Sequence, residues 1–248
     1  MRTTKLVSAK RGFIAAASVV ALIGFATSAS ASDLIVDGGF ETPAPASDTP
    51  AASPGQGYQL VSAGSSFGTS NAWTVAYQPG ATGFTGDNVA LGPTVEYASP
   101  NIFYNAQSGE QSLDLSGGND NGHPLGVIQT VSTVAGTTYT LSFYLASWVD
   151  QPDAMVGVYV DGLSVGVFTN DSNTGGRGSL SPDPTYPDFL DGNLWDAYTY
   201  QFTATGASTS IGFYNNSASG VTEVGLDDVS LTAPVSGVPE PATWALLL

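Results

Sequence analysis

The sequence after residue 31 alternates apolar and polar residues over short segments and has no sustained helical period. Its clearest segment is Thr138–Trp148, TYTLSFYLASW. One face of this segment carries Tyr139, Leu141, Phe143 and Leu145, and the other carries Thr140, Ser142, Tyr144 and Ala146. A period of two is the pattern of a strand with one face against a core and the other in water. The segment therefore predicts a half-buried β-strand.

Similar short segments recur along the chain. Asp161-Gly162 joins two of them, Met155–Val160 and Leu163–Phe168, and this pair tolerates the positive φ angles of a type I′ hairpin turn. Further strands are predicted at Leu34–Val36, Tyr58–Val61, Trp73–Tyr77, Ser112–Leu115, Gly126–Val131, Tyr198–Ala204, Thr209–Tyr214 and Val224–Leu231. Many short strands separated by Gly, Asn, Asp and Pro predict an all-β fold, an antiparallel β-sandwich or jelly roll. Two segments of low hydrophobicity, Thr42–Gly57 and Asn170–Asn193, are interpreted as loops because strands resume after each.

The first 31 residues have the three parts of a secretory signal peptide. Four basic residues precede the apolar segment Phe13–Ala26, and Ala29-Ser30-Ala31 supplies the small residues that a signal peptidase accepts. The apolar segment is shorter than the ~20 residues of a membrane-spanning helix, which disfavours a retained anchor. We therefore expect export, cleavage by signal peptidase, and a mature chain that begins at Ser32.

The mature chain is strongly acidic. Four of the five Lys and Arg residues precede residue 32, so Arg177 alone stands against 21 Asp and Glu residues, which gives a net charge of −20. Nucleic acids and anionic membrane surfaces are therefore not expected partners, because binding to both requires basic patches. The chain has no Cys. Its stability must come from an apolar core or a bound metal rather than from disulfides.

A short motif in the last fifteen residues, 234–248, predicts the destination of the chain. Two prolines flank one carboxylate in Val238-Pro239-Glu240-Pro241, which favours an extended segment. With the apolar residues that follow, the segment resembles the PEP-CTERM signal of exported bacterial proteins, and this resemblance implies processing by an exosortase-type membrane protease. Ala242–Leu248 would form about 10 Å of helix against ~30 Å of hydrocarbon. We therefore expect a cell-surface or extracellular protein, and membrane anchoring only if the sequence continues.

The body of the chain contains five short motifs in a fixed order: Asp37–Glu41 (DGGFE), Ser112–Leu115 (SLDL), Val127–Val131 (VIQTV), Ala135–Phe143 (AGTTYTLSF) and Gly225–Leu231 (GLDDVSL). In this order they resemble the motifs of the galactose-binding-like jelly-roll family. That family includes many carbohydrate-binding modules. The resemblance implies one jelly-roll domain at residues 32–233.

The same resemblance implies a structural calcium ion. In related modules the Glu of the Gly-Phe-Glu motif and an Asp of the Asp-Asp-Val motif bind calcium between the first and last strands. The matching residues are Glu41 and Asp227, with Asp228 as the alternative. The donor type agrees, because Ca²⁺ takes about six to eight oxygen ligands. The competing interpretation is that these carboxylates only solvate strand ends.

A glycan site would use aromatic side chains on a wet surface, because sugar rings stack on flat side chains while polar neighbours satisfy the hydroxyls. The alternation places Tyr144 and Trp148 on the non-core face of the central strand. Tyr186, in the second loop, is another candidate. We expect Trp73 and Trp195 to fill the core or to cap a sheet edge, since Trp is highly buried on average.

Two catalytic or metal motifs are incomplete. Gly64–Gly68 (GSSFG) matches the Gly-x-Ser-x-Gly elbow of serine hydrolases, and His123 is the only histidine. That elbow needs a strand, a tight turn and a helix, whereas the following residues show no helical pattern. Asn119–Gly122 resembles part of an EF-hand loop, but Gly117 and Ile128 replace required ligands. Because both motifs are incomplete, we expect a non-catalytic protein. The resemblance adds the expectation that it is stabilised by calcium and binds polysaccharide, with a purely structural matrix protein or a secreted hydrolase as alternatives.

Overall fold

The structure is a computed structural model that describes residues 31–43, 59–83, 86–93, 95–96, 103–104, 106–117, 122–148, 153–170, 193–219 and 224–234. These residues belong to one compact unit, Ala31–Val235. They form a single 3-10 turn at Thr69–Asn71 and otherwise strands and connections. In these ranges, no helix has the length and hydropathy to cross a membrane. The predicted signal peptide and the sorting motif lie outside the described residues.

The described strands are β1 (Gln59–Ser62), β2 (Ser66–Phe67), β3 (Trp73–Tyr77), β4 (Asn88–Pro93), β5 (Val95–Glu96), β6 (Phe103–Tyr104), β7 (Gln111–Asp114), β8 (Leu125–Ser132), β9 (Thr138–Trp148), β10 (Ala154–Val160), β11 (Leu163–Asn170), β12 (Asn193–Thr203), β13 (Ser208–Asn215) and β14 (Gly225–Thr232).

Most of the described strands form two six-stranded antiparallel sheets. Sheet A has the order β1-β4-β7-β14-β9-β12, and sheet B has the order β11-β10-β13-β8-β3-β2. The strands β5 and β6 pair only with each other in the described part of the chain. The predicted all-β fold, an antiparallel sandwich of the jelly-roll type, is therefore confirmed.

The core lies between the two sheets, and β9 supplies much of it. The four residues that the alternation assigns to the core are at most 3% exposed. The ring of Phe143 lies 5.1 Å from that of Phe213 in sheet B and 5.2 Å from that of Phe168, centroid to centroid, both edge to face. Edge-to-face aromatic pairs of this kind stabilise beyond their buried area. The core therefore joins the two sheets through aromatic contacts.

The β10–β11 hairpin also forms as predicted. Asp161 and Gly162 have φ angles of 50° and 76°, which both lie in the left-handed region that a type I′ turn requires. The pairing contains an irregularity at Val158/Tyr159, where β11 has one extra residue. The two strands nevertheless continue to Ala154 and Asn170.

The N-terminal segment differs from its prediction. Leu34–Val36 does not form a strand; only an isolated bridge joins Asp33 to Thr232. The side-chain amide of Gln129 takes the place of a neighbouring strand for Val36: its Oε1 accepts from the Val36 N–H at 2.8 Å, and its Nε2 donates to the Val36 carbonyl at 3.0 Å. A buried side chain in sheet B therefore satisfies backbone groups that a ladder would otherwise pair.

Candidate functional site

A row of residues crosses all six strands of sheet A on its outer face. Successive register partners are Leu60, Ala90, Asp114, Gly225, Ala146 and Trp195. Directly paired residues share one face of a sheet, and successive residues on a strand alternate between faces. The chain neighbours Leu91, Leu113, Leu226 and Leu145 all belong to the core. The six residues, here named the cross-strand row, therefore lie on the side away from the core.

Trp195 reaches across this row. A methyl group placed on Gly225 would lie 3.1 Å from Cβ of Ala146 and 3.2 Å from Cη2 of Trp195. The indole therefore extends from β12 over β9 to the edge of β14. The side chain is half-buried, whereas Ala146, which the alternation assigns to the wet face, is 0% exposed. Small residues at Ala146 and Gly225 leave the room that the indole occupies.

The predicted position of Trp195 is thus refined. It lies on β12, an edge strand of sheet A, but on the outer surface rather than in the core. The period of two in Tyr198 and Phe202, which pack against the core, would have placed Trp195 outward if the strand had been extended back from Tyr198. Trp73, by contrast, is fully buried.

Tyr144 lies on the same outer face as Trp195. It pairs with Ala197 of β12 and with Asp227 of β14, and it is half-buried. Its position on β9 is two residues from Ala146, or about 7 Å along the strand. The structure therefore brings two aromatic residues together on one surface.

The other two predicted glycan residues are not placed fully. The backbone of Trp148 pairs with Asn193 at the end of the β9–β12 ladder. The side chain of Trp148 and the whole of Tyr186 lie outside what the structure describes. Both therefore stay predictions.

Asp114 is the acidic member of the cross-strand row. Its Oδ1 accepts hydrogen bonds from the backbone N–H of Ser116 at 2.8 Å and from the Ser116 hydroxyl at 2.6 Å, which hold the carboxylate in place. The side chain is partly exposed. None of the described residues is a Lys or an Arg, so the surface around this row carries no such cation from the described part of the chain.

The three predicted calcium ligands converge beside Gly39. A methyl group on Gly39 would lie 3.5 Å from Oδ1 of Asp228, 3.8 Å from Cγ of Glu41 and 3.9 Å from Oδ1 of Asp227. Residues far apart in the chain therefore meet at one point. The loop before β7 closes the cluster.

Several hydrogen bonds hold these carboxylates. Glu41 Oε1 accepts from the backbone N–H of Glu110 at 2.8 Å. Asp227 Oδ2 accepts from the N–H of Gln107 at 2.8 Å, and Ser108 Oγ donates to Asp228 Oδ1 at 2.8 Å. The acidic cluster is therefore built into the fold rather than scattered on the surface.

Asp227 is the most perturbed of these groups. It is 0% exposed, and burial raises its pKa to about 7, against the opposing effect of backbone hydrogen bonds from Asp228, Gln107 and Ser108. Burial also raises the pKa of Asp37, which lies at the start of the segment that contains Gly39 and Glu41. Carboxyl groups of this kind lower their free energy by binding a proton or a cation.

The donor set fits calcium in type but is incomplete in number. Within the described ranges, no group of three or more His, Cys, Asp or Glu side chains is arranged as a preformed metal centre. Carboxylate oxygens of Asp227 and Asp228 face the space beside Gly39, where the nearest atom of Glu41 is Cγ. Ca²⁺ completes its coordination readily with backbone carbonyls and water. Asp227, Asp228 and Glu41 would therefore hold such an ion only together with oxygens from other groups.

The serine motif does not form a hydrolase elbow. Ser66 lies in the two-residue strand β2, and its hydroxyl is 3.0 Å from that of Thr74. A 3-10 turn follows where an elbow needs an α-helix. The described partner of the His123 side chain is Asp87 rather than Ser66: its Nδ1 lies 2.9 Å from Oδ2 of Asp87. The geometry around Ser66 is that of a sheet edge.

Comparison with known proteins identifies the fold and nothing finer. No protein-family model and no curated protein matches the chain. Among solved structures, the chain is similar to an apo-form cyclase from Fischerella sp., with a TM-score of 0.52 and 19% identity over 84% of this chain and 99% of that one. It is also similar to the CBM22-1 xylan-binding domain of Paenibacillus barcinonensis Xyn10C (TM-score 0.39, 16% identity, 70% and 97% covered). A CBM4 structure matches with a TM-score of 0.36 and 15% identity, with 80% and 99% covered.

Proposed function

We propose that this protein is an exported polysaccharide-binding protein, and that its glycan site is the outer face of sheet A around Trp195 and Tyr144. The observation that carries the proposal is the position of the Trp195 indole over Ala146 and Gly225, partly exposed and on the same face as Tyr144. Aromatic rings on a surface with adjacent polar groups are the chemistry that sugar rings require.

The shape of the site favours a polymer. The cross-strand row spans five strand spacings, or about 24 Å. The small residues of the row, Ala90, Gly225 and Ala146, are buried, whereas the larger Leu60, Asp114 and Trp195 are at least partly exposed along that length. An extended chain could therefore lie across the sheet and contact several strands at once. A single small sugar would use only a fraction of this surface.

The proposed role is binding rather than catalysis. The arrangement around Ser66 supports it, because the serine lies in a sheet edge without the helix of a hydrolase elbow. Structural calcium is part of the same proposal. Asp227, Asp228 and Glu41 would contribute oxygen ligands, and the ion would supply the positive charge that the buried Asp227 carboxylate lacks among the described residues.

The proposed destination rests on the sequence. The signal peptide directs export, and the Val238–Pro241 motif directs the chain to an exosortase-type protease at the cell envelope. Extracellular polysaccharide is then the material that the exported protein meets. Appending an apolar segment and a basic end after residue 248 should convert a released product into an envelope-retained precursor, as measured by immunoblotting of cell and medium fractions.

Affinity electrophoresis on a panel of soluble polysaccharides tests the binding site. We expect retardation by at least one polysaccharide, and we expect Trp195→Ala and Tyr144→Ala each to lower the affinity roughly tenfold or more. Tyr159→Ala is the matched control, since Tyr159 is a half-buried aromatic on the outer face of sheet B. Equal losses in all three variants would contradict the assignment to sheet A. No retardation by any polysaccharide would instead favour a purely structural matrix protein.

A further inference from the structure

We propose that the glycan face of sheet A selects uncharged polysaccharides and that Asp114 sets this selectivity; the inference rests on the function proposed above. Asp114 pairs with Gly225, and Gly225 is the residue that the Trp195 indole reaches. A sugar stacked on Trp195 would therefore lie beside the Asp114 carboxylate. The next two residues of the cross-strand row beyond Asp114, Ala90 and Leu60, are uncharged.

The Asp114 carboxylate is held rigidly enough to discriminate. Two hydrogen bonds from Ser116 fix its Oδ1, one from the backbone N–H and one from the hydroxyl. An ionised carboxylate only accepts hydrogen bonds. It therefore favours ligands that present hydroxyl donors at this point. A sugar with a carboxylate or a sulfate there would present acceptors and a second negative charge.

The surrounding electrostatics point the same way. The described part of the chain has no Lys or Arg to neutralise an anionic sugar. Like charges brought together in a partly buried site repel strongly, and such repulsion is an effective way to exclude a competing ligand. Uncharged glycans avoid this repulsion.

Two matched pairs of probes test the selectivity on the exported chain: hydroxyethylcellulose with carboxymethylcellulose, and guar galactomannan with the same galactomannan oxidised to uronate at C6. We expect the neutral member of a pair to bind at least about tenfold more tightly at low salt. Added sodium chloride should narrow the difference, because salt screens charge repulsion. This salt series uses the unmodified protein and so does not depend on the folding of a variant.

The variant Asp114→Asn assigns the selectivity to one residue. The amide keeps the shape and the Oδ1 acceptor for Ser116 but removes the charge. We expect its affinity for the neutral probe to stay within about threefold, and its affinity for the anionic partner to rise at least about tenfold. Asp153→Asn is the control, because it makes the same change of net charge at a residue just before β10 of sheet B.

Each outcome decides one point. If the unmodified protein binds both members of a pair equally at low salt, the inference is wrong while the proposed function stands. If Asp114→Asn and Asp153→Asn raise the anionic affinity alike, net charge rather than Asp114 sets the selectivity. If neither member of either pair is bound and the wider panel is also negative, the proposed function itself fails.

Discussion

Asp227 and Tyr144 are register partners across β14 and β9. After Asp227 the pairing shifts by one residue, so that Ser230 lies opposite Ser142. This bulge leaves Asp228 with a φ of 47° and turns its carboxylate toward Ser108. A bulge of this kind redirects a side chain at the cost of local pairing. The acidic cluster and the aromatic face therefore share one short piece of backbone.

Calcium is expected to stabilise the fold through that cluster. Ligand at about 100 times its dissociation constant adds about 2.7 kcal/mol to the free energy of unfolding, which corresponds to a rise in Tm of roughly 5–10 °C for a domain of this size. Thermal unfolding at about pH 8 in calcium and in EDTA measures the effect. Asp227→Ala and Glu41→Ala should each abolish the increment.

The matched control for calcium is Glu110→Gln, which removes an exposed acidic side chain near the cluster. This variant should keep the full calcium-dependent rise in Tm. An identical Tm with and without calcium in the unmodified protein would remove the proposed ion. A rise that persists in both Asp227→Ala and Glu41→Ala would place the ion elsewhere.

Stability in the absence of calcium should depend on the protonation of Asp227. Its pKa is about 7 in the folded state and 3.8 in an unstructured chain. The folded state therefore holds a proton that the unfolded chain releases between these values. The resulting stabilisation is fully present below pH 3.8 and is lost as the pH rises through about 7.

The variant Asp227→Asn isolates this contribution, because an amide does not titrate. In EDTA, its Tm should fall less than that of the unmodified protein between about pH 4 and pH 8. Other carboxyl groups contribute equally to both profiles and cancel in the difference. Parallel profiles for the two proteins would show that the Asp227 pKa is not raised.

Much of the fold can be predicted from the sequence alone, because the alternation of apolar and polar residues that identifies a strand lies within the sequence of that strand. The prediction for β9 has the bounds that the structure gives, and the Asp161-Gly162 turn is where φ must be positive. Strand pairing was harder to predict. The bulges at Asp227/Ser230 and Val158/Tyr159 each shift the register by one residue. The alternation within one strand does not show which residues of the neighbouring strand lie opposite.

In the candidate site, too, features within one strand could be predicted, whereas contacts between strands could not. Tyr144 was predicted on the outer face from the period of β9 alone. The contact between Trp195 and Gly225 depends on three strands that meet in one register, and no local pattern contains that information. That Glu41 and Asp227 lie close together could be predicted only from a family resemblance, since 185 intervening residues separate the two positions in the chain.

Phe40 should be a main support of the N-terminal segment. It is 0% exposed, and its ring lies 5.3 Å from that of Trp73, centroid to centroid. Phe40→Ala should lower the free energy of unfolding by about 3–5 kcal/mol, because truncation of a buried aromatic leaves a cavity. Chemical denaturation measures the loss. Leu163→Ala, at a side chain that is 73% exposed, should change it by less than about 0.5 kcal/mol.

Gly225 should control the position of the Trp195 indole. A Cβ at this residue would approach Cη2 of Trp195 to 3.2 Å and Cβ of Ala146 to 3.1 Å, both tighter than ordinary contacts. Alanine requires the indole to shift by a few tenths of an ångström, whereas valine requires it to leave its position. We therefore expect polysaccharide affinity to fall in the order glycine, alanine, valine, with a loss of roughly tenfold for Gly225→Val, and the overpacking to cost about 1–3 kcal/mol of stability.

Acrylamide quenching of tryptophan fluorescence, with Trp195→Phe as the reference, should show Trp195 becoming more accessible in Gly225→Val. Gly206→Ala is the control, since a Cβ there meets nothing closer than 3.6 Å; it should leave both affinity and quenching unchanged. If Gly225→Val moves the indole but keeps full affinity, the stacking surface is not Trp195.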